Sequence, residues 1–305
     1  MKMEGKEMII GVDLGNYSVK TSKGITFFSK VNESNGLFDE NEVIFDGKRL
    51  LIGEGEFETD FNKSMKKNTL PLLYTALALS DSNEDIFDVV LGLPIQQYKA
   101  NKDDVINYIK DNNYKVVEVG GVKREVYINE VQVVPEGASA YYNLSYENKL
   151  KIGNKQLVIV DIGGRTTDVC LFKDKKIKQY KTIPTGMLNI YNDIATVINE
   201  LYSQNFTLED GEEVLKDGLF LDGEEKDITF IKHILKKHFD TIFKELQLNF
   251  NVSKGYVLLT GGGASVFKTA FNNRLKNLIV SDDNVFDNVK GFKKVGDSLW
   301  LQKEV

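Results

Sequence analysis

Short apolar runs that end in acidic or glycine-bearing turns alternate with longer segments whose apolar residues recur every three to four positions. That mixture predicts an α/β protein. Residues 8–13 read as a buried strand that turns at Leu14-Gly15-Asn16, with 17–21 and 25–31 as antiparallel partners joined through Ser22-Lys23-Gly24. Residues 43–45 and 49–52 flank Asp46-Gly47-Lys48, a hairpin signal. Within 68–80, Leu70, Leu73, Tyr74 and Leu77 share a helical face, and Pro71 sits near the start, where a helix tolerates it. Residues 88–94 predict a buried strand running into a loop, 102–110 a short helix, and 114–119 with 122–128 a hairpin around Gly120-Gly121. Residues 130–135 read as a strand, and Glu136-Gly137-Ala138-Ser139-Ala140 opens a helix reaching about Tyr146.

The polar stretch 147–155 predicts a domain boundary. Beyond it the pattern of the amino terminus repeats: a strand over 157–162, a glycine turn, a returning strand, then 176–183. Pro184-Thr185-Gly186 precedes a helix over 187–201, and the acidic segment 209–227 reads as irregular or partly helical. Residues 228–250 predict a helix, with Ile231, Ile234, Leu235, Phe239, Ile242, Phe243 and Leu246 on its buried side. His233 and His238 lie five apart and so do not share a face as an i,i+4 metal pair would; both read as surface or packing residues. Residues 256–260 form a buried strand ending in Gly261-Gly262-Gly263, after which Ala264 opens a helix to about Leu275. A short strand over 278–280 and a last helix over 297–302, packed down by Trp300, complete the chain.

Composition narrows the class. The 305 residues suffice for two domains with separate cores, and 42% hydrophobic with 28% charged residues and four prolines is ordinary folded protein. A net charge of -6 argues against a strongly basic nucleic-acid surface, so direct sequence-specific DNA binding is not expected. The single cysteine, Cys170, excludes an internal disulfide framework and reads as core packing in a reducing compartment. Residues 1–7 lack the apolar core of a signal peptide, and no run approaches the roughly 18 apolar residues of a membrane span; a cytoplasmic protein with no transmembrane segment is expected.

The candidate chemistry lies in the repeated turns. Asp13 and Asp161 each end an apolar run, where an unpaired carboxylate is costly inside a core. Either residue can cap the turn that follows; as a pair, they fit the acidic anchors of a phosphate-bound Mg²⁺. Gly15, Gly163 and Gly164 permit the tight backbone that offers N–H groups to phosphate. Asn16, Tyr17, Ser18 and Thr166 lie in or beside these turns, with Thr167 as a further short donor, and Lys20 is the nearby cation, although its strand position also allows it to face solvent. Arg165 either approaches phosphate or faces solvent. Asp168 reads as a structural acceptor. Glu136 follows Pro135 where a strand gives way to a helix, and it fits either a residue that positions attacking water or a favourable acid at a helix start. Gly261, Gly262 and Gly263 allow a nucleoside close to the backbone. The chain carries neither a P-loop nor a complete dinucleotide-binding fingerprint.

Together these motifs resemble the actin/Hsp70/sugar-kinase superfamily. Residues 11–16 correspond to its first phosphate motif, 161–168 to its second, 258–264 to its adenosine motif, and 135–138 and 288–291 to its connecting motifs. Within the superfamily, Asp161-Ile-Gly-Gly-Arg-Thr-Thr-Asp168, the tail 288–296 and the compact length resemble bacterial and plasmid-borne actin-like proteins of the ParM group. The resemblance implies a two-lobed actin-like ATPase fold with related mixed sheets flanked by helices and a nucleotide cleft between the lobes. Domain I would cover 1–153, with a smaller inserted subdomain and the tail 287–305; domain II would cover 154–286. It also implies Mg²⁺ with ATP and/or GTP, metal binding by Asp13 and Asp161, catalysis by Glu136 and Asp161, and nucleoside contacts at Gly261–Gly263. The implied partners are further copies of the chain, in filaments, and a DNA-binding adaptor that links them to plasmid DNA. Asn16 departs from the Thr or Ser common at its position. A chromosomal scaffold for cell shape or division and, less favoured, a small-metabolite kinase are the alternatives.

Overall fold

The computed structural model describes residues 8–33, 42–58, 66–174 and 176–301. The chain divides into two compact units, Met1–Gly153 with Ser281–Val305, and Asn154–Val280.

The first unit runs through β1 (Met8–Leu14), β2 (Ser18–Thr21), β3 (Thr26–Phe28), β4 (Lys30–Glu33), β5 (Glu42–Phe45), β6 (Lys48–Phe57), α1 (Thr69–Ser80), β7 (Ile86–Leu93), α2 (Ile95–Asp111), β8 (Tyr114–Val119), β9 (Val122–Pro135), α3 (Ala140–Asn143) and α4 (Tyr146–Ile152). Its described strands form one mixed sheet in the order β3-β2-β1-β7-β9-β8-β5-β6-β4. β1, β7 and β9 are parallel neighbours, and β2 and β3 return antiparallel beside β1.

Several elements depart from the periodicity. The strand expected over 25–31 is split, because Ser29 spends its N–H and hydroxyl on the carbonyls of Tyr17 and Gly15 instead of a ladder. Beyond it, β4 leaves to pair with β6. The two strands expected over 122–128 and 130–135 are one. In β9, Ile128 pairs with Phe87 and Glu130 with Asp88, so Asn129 is bulged. The buried Asp88 carboxylate accepts from Asn129 Nδ2 at 2.9 Å and Glu130 N at 3.1 Å, which holds the bulge. The bend lets one strand serve β8 antiparallel and β7 parallel. α2 starts well before residue 102, at once after Pro94, whose carbonyl accepts from Gln97 and Tyr98. The helix expected from Glu136 is only the single turn α3. Ser145 then caps α4 by accepting from Asn148 N at 3.2 Å, so part of the polar boundary stretch is helical.

α1 is buried along most of its length, from Leu70 to Ala78 with Pro71 less enclosed. Leu73 and Leu77 are fully enclosed beneath the sheet, each contributing on the order of 1.5–3 kcal/mol.

The second unit comprises β10 (Gln156–Ile162), β11 (Thr167–Lys173), β12 (Lys176–Ile183), α5 (Met187–Tyr202), α6 (Leu208–Asp217), β13 (Phe220–Leu221), β14 (Glu224–Glu225), α7 (Phe230–Asn249), β15 (Gly255–Thr260), α8 (Ala264–Asn272) and β16 (Leu278–Val280). Its main sheet has the order β12-β11-β10-β15-β16, with β10, β15 and β16 parallel and β11 and β12 antiparallel. This repeats the β3-β2-β1-β7-β9 portion of the first sheet, strand for strand and direction for direction. The acidic segment is more regular than its composition suggests. Thr207 and Asp210 cap α6 reciprocally, and the β13–β14 hairpin follows.

After β16 the chain rejoins the first unit through α9 (Asp287–Trp300), one continuous helix where only 297–302 was expected. Val289 and Phe292 pack with Val90 and Val134, and Trp300 lies against that cluster. Gly137 N donates to Asn288 Oδ1 at 3.0 Å and Asn143 Nδ2 to Asp287 Oδ1 at 2.8 Å. Among the described residues, no helix is long and apolar enough to cross a membrane.

Candidate functional site

In each unit an acid ends the first strand of the repeated sheet. Crevices at the carboxyl ends of parallel strands are where open α/β sheets bind ligands.

In the first unit, Asp13 lies on β1 opposite Lys20 of β2, so both side chains emerge on one face. The chain between these strands is Gly15-Asn16-Tyr17. Ser29 Oγ donates to the Gly15 carbonyl at 2.5 Å, and Ser29 N donates to the Tyr17 carbonyl at 2.9 Å. Lys66 Nζ donates to Asn16 Oδ1 at 2.9 Å. The Tyr17 ring does not face the open side of the turn; it packs against Phe28 and Phe57, each with its centroid 5.3 Å away. Ser18 is buried at the start of β2. Two strands over, Glu136 follows β9 and is 7% exposed, with its N–H donating to the Leu93 carbonyl at 2.8 Å. A Cβ on Gly92 would come within 2.8 Å of Glu136 Cγ, which locates this side chain against the end of β7. Thus Asp13, the 15–17 turn and Glu136 all lie at the carboxyl ends of β1, β7 and β9.

In the second unit, Asp161 is buried and lies opposite Asp168 across β10 and β11. Thr182 Oγ1 donates to Asp168 Oδ1, and Thr166 Oγ1 lies 3.4 Å from Asp168 Oδ2. Two carboxylates on one sheet face repel unless donors or a cation neutralise them; here the hydroxyls are gathered on Asp168. The 163–166 turn closes through Gly163 N to Thr166 O at 2.9 Å. Met187 N and Leu188 N at the start of α5 donate to the carbonyls of Gly163 and Gly164, at 3.0 and 2.8 Å. Arg165 is partly exposed in this turn.

The 261–263 turn stands alongside, because β15 is the parallel neighbour of β10 and Thr260 pairs with Asp161. Gly261 has φ +83°, and a Cβ there would lie 2.2 Å from Asp161 Oδ1, so glycine is required on both counts. Gly263 N donates to the Ile162 carbonyl at 3.0 Å, while Gly262 faces open space. Asp161, Gly163 to Thr166 and Gly261 to Gly263 therefore form one cluster.

Sequence reasoning passed over Ser29, Lys66 and Gly186. The first two carry no motif and reach the 15–17 turn only through tertiary contact. Gly186 had a visible signal in Pro184-Thr185-Gly186, read only as a helix start. A Cβ on it would meet Gly164 O at 2.4 Å and Gly163 O at 2.7 Å.

Among the described residues there is no group of three or more His, Cys, Asp or Glu that could hold a metal. A Mg²⁺ ion takes one or two protein carboxylates and fills its shell with water and phosphate oxygens, and Asp13 and Asp161 are strand-end carboxylates of that kind. Cys170 is buried, and burial, with Asp168 and Asp161 nearby, pushes its thiol well above the ordinary range, as befits packing. His238 is buried with Nε2 3.0 Å from Asp193 Oδ2, and Lys237 Nζ is also 3.0 Å from that oxygen. Burial alone would raise the Asp193 carboxyl, but hydrogen bonds from Lys237 and His238 prevail and hold it below its ordinary value.

Two copies of one five-stranded mixed sheet, each with an acid and a glycine-bearing turn at the same strand end, define the duplicated α/β class that includes actin. The N-terminal domain model of the actin-like proteins matches residues 11–138. The C-terminal domain model of the MreB-like archaeal actin homologues matches residues 159–273. The chain belongs to the actin-like protein family, and its fold is ParM-like.

Among solved structures, it is similar to Ta0583, an archaeal actin homologue in complex with ADP, with TM-score 0.83 and 18% identity over 95% of this chain and 99% of that one. It is similar to a ParM of a 15-stranded filament from Clostridium botulinum, with TM-score 0.82 and 20% identity over 96% of this chain and 100% of that one. An Alp12 filament structure has TM-score 0.70 and 18% identity, covering 98% of this chain and 99% of that one. No protein of curated function gives a sequence match to the chain.

Proposed function

We propose that this protein is an Mg²⁺-dependent nucleoside triphosphatase, using ATP and/or GTP, whose nucleotide cycle controls its assembly into filaments that segregate plasmid DNA through a DNA-bound adaptor. The observation that carries the reading is the duplicated strand-turn-strand with Asp13 and Asp161 at equivalent strand ends. Family membership supports it, as do the ADP complex and the filaments recorded for structural relatives.

In this reading Asp13 and Asp161 hold the metal, directly or through water, and Mg²⁺ supplies charge neutralisation at the phosphate oxygens. Gly15, Asn16, Tyr17 and Ser18 offer turn donors to one side of the phosphate chain, with Lys20 as cation. Gly163, Gly164, Arg165 and Thr166 serve the other side, and Gly261 to Gly263 border the nucleoside. Glu136 and Asp161 orient the attacking water, and Glu136 accepts its proton as the water oxygen bonds to the terminal phosphorus and the bond to the bridging oxygen breaks, giving nucleoside diphosphate and inorganic phosphate. Burial suits Glu136 to this role, because a carboxylate shielded from bulk solvent holds one water in a fixed direction. Filament contacts that favour the nucleotide-bound form of the chain link assembly to nucleotide state.

The test is light scattering of the purified chain at increasing concentration with Mg-ATP or Mg-GTP, followed by electron microscopy and phosphate release. Assembly above a threshold concentration, with disassembly following hydrolysis, is expected. Monomers that persist over a broad concentration range with either nucleotide would overturn the filament reading.

A further inference from the structure

Lys66 lies just before α1, where its carbonyl accepts from Thr69 N at 3.0 Å. α1 is packed along most of its length, so Lys66 projects from a rigid mount. Its side chain is only 13% exposed, and it is directed at the 15–17 turn, with Nζ 2.9 Å from Asn16 Oδ1. Glu58 Oε2 lies 4.0 Å from the same Nζ and offsets its charge. Together Gly15, Asn16, Ser29, Glu58 and Lys66 line part of a small pocket of about 20 Å³ within the first unit.

An ammonium has donors and no acceptor, so an amide facing it must present its oxygen. The amide NH2 then points to the opposite side. The carbonyls of Gly15 and Tyr17 already accept from Ser29. The side-chain oxygen of Asn16 is likewise taken, and the other polar group of that side chain is a donor.

We propose that Lys66 is a positioning residue that locks the Asn16 amide with its NH2 outward, making Asn16 a hydrogen-bond donor to a phosphate oxygen of the bound nucleotide. This rests on the nucleotide reading above. Lys66 itself acts through Asn16 and does not touch the phosphate.

The experiment measures Mg-ATP binding to the full chain by calorimetry, with thermal melting as a folding control. Lys66→Met should weaken binding about ten-fold, the scale of one lost charge-assisted hydrogen bond. Lys66→Arg keeps a cationic donor and should stay within about three-fold of the wild type. Asn16→Asp still accepts from Lys66 but has no NH2 and repels phosphate, so it should bind at least about ten-fold more weakly while melting no lower. In an Asn16→Ala background, Lys66→Met should cause no further loss, since both act on one contact. A Lys66→Met loss under about two-fold, or one that persists undiminished in the Asn16→Ala background, overturns the assignment. Wild-type affinity retained in Asn16→Asp also overturns it. A wild-type chain that binds no nucleotide defeats the underlying reading, which is a separate and recognisable outcome.

Discussion

The two acidic turns occupy equivalent places in two copies of one sheet, yet they are fastened by different means. In the first unit one backbone bond, Ser29 N to the Tyr17 carbonyl, is joined by side chains from distant segments: Ser29 Oγ takes the Gly15 carbonyl, Lys66 takes the Asn16 amide oxygen, and Phe28 and Phe57 flank Tyr17. In the second, backbone holds backbone, as Met187 N and Leu188 N at the start of α5 grip the carbonyls of Gly163 and Gly164. Backbone amides in a helix end move only with the helix, whereas a serine or lysine contact is lost by one rotamer change. The first turn therefore depends more on side-chain rotamers than the second does. The acids differ too: Asp13 stands opposite a cation, Lys20, and Asp161 opposite another acid, Asp168. A carboxylate opposed by a like charge gains more from a metal than one already opposed by a cation.

Unequal losses at the two acids would sharpen that contrast most. Asp161→Asn is expected to lower phosphate release at saturating Mg-ATP about 100-fold, and Asp13→Asn about ten-fold. Equal losses would erase the distinction drawn between the acids, and unchanged turnover in Asp161→Asn would remove its assigned role.

Next in size is the backbone fastening. Gly186→Ala puts a methyl within 2.4 Å of the Gly164 carbonyl oxygen. A cost of about 2–3 kcal/mol in urea unfolding is expected, because two backbone segments must separate to admit it. Ser29→Ala, the counterpart in the first unit, removes one hydroxyl donor and should cost only about 1 kcal/mol, with faster amide exchange confined to the 15–17 turn. A Ser29→Ala cost as large as that of Gly186→Ala would break the comparison.

The smallest effect is a pH dependence in the second unit. Hydrogen bonds hold the folded Asp193 carboxyl below its ordinary value of 3.8 against the opposing effect of burial. A depressed carboxyl pKa contributes stability that is present above 3.8 and lost as pH falls through the folded value. Asp193→Asn should therefore lower the urea midpoint slightly at neutral pH, and the gap from the wild type should close in acid. A gap that stays constant down to acid unfolding would show that the carboxylate charge contributes nothing.

Much of this molecule was legible along the chain because its information is local. Buried strands such as β1, β10 and β15 declare themselves as apolar runs, and the 228–250 periodicity finds α7 almost to the residue. The Asp46-Gly47 hairpin is equally direct, with φ values of 47° and 81° at its two turn residues. The repeat at 157–183 signals a second sheet related to the first. Other features escaped because long-range contacts override local preference. Asn129 is bulged because Asp88, on a neighbouring strand, holds it. The strand expected over 25–31 breaks because Ser29 is drawn to a turn formed earlier in the chain. Polar residues at 146–152 form a helix because Ser145 caps it.

The order of apolar runs, glycines and acids was enough to specify the α/β class, the duplication and the residues at the two acidic turns, since strand burial and turn chemistry depend on neighbours close in sequence. The tertiary structure alone decided which carbonyls are fastened and by what: Ser29 and Lys66 on one turn, the α5 amides on the other. Those contacts join residues with no periodic relation, and their geometry exists only once the sheets are assembled.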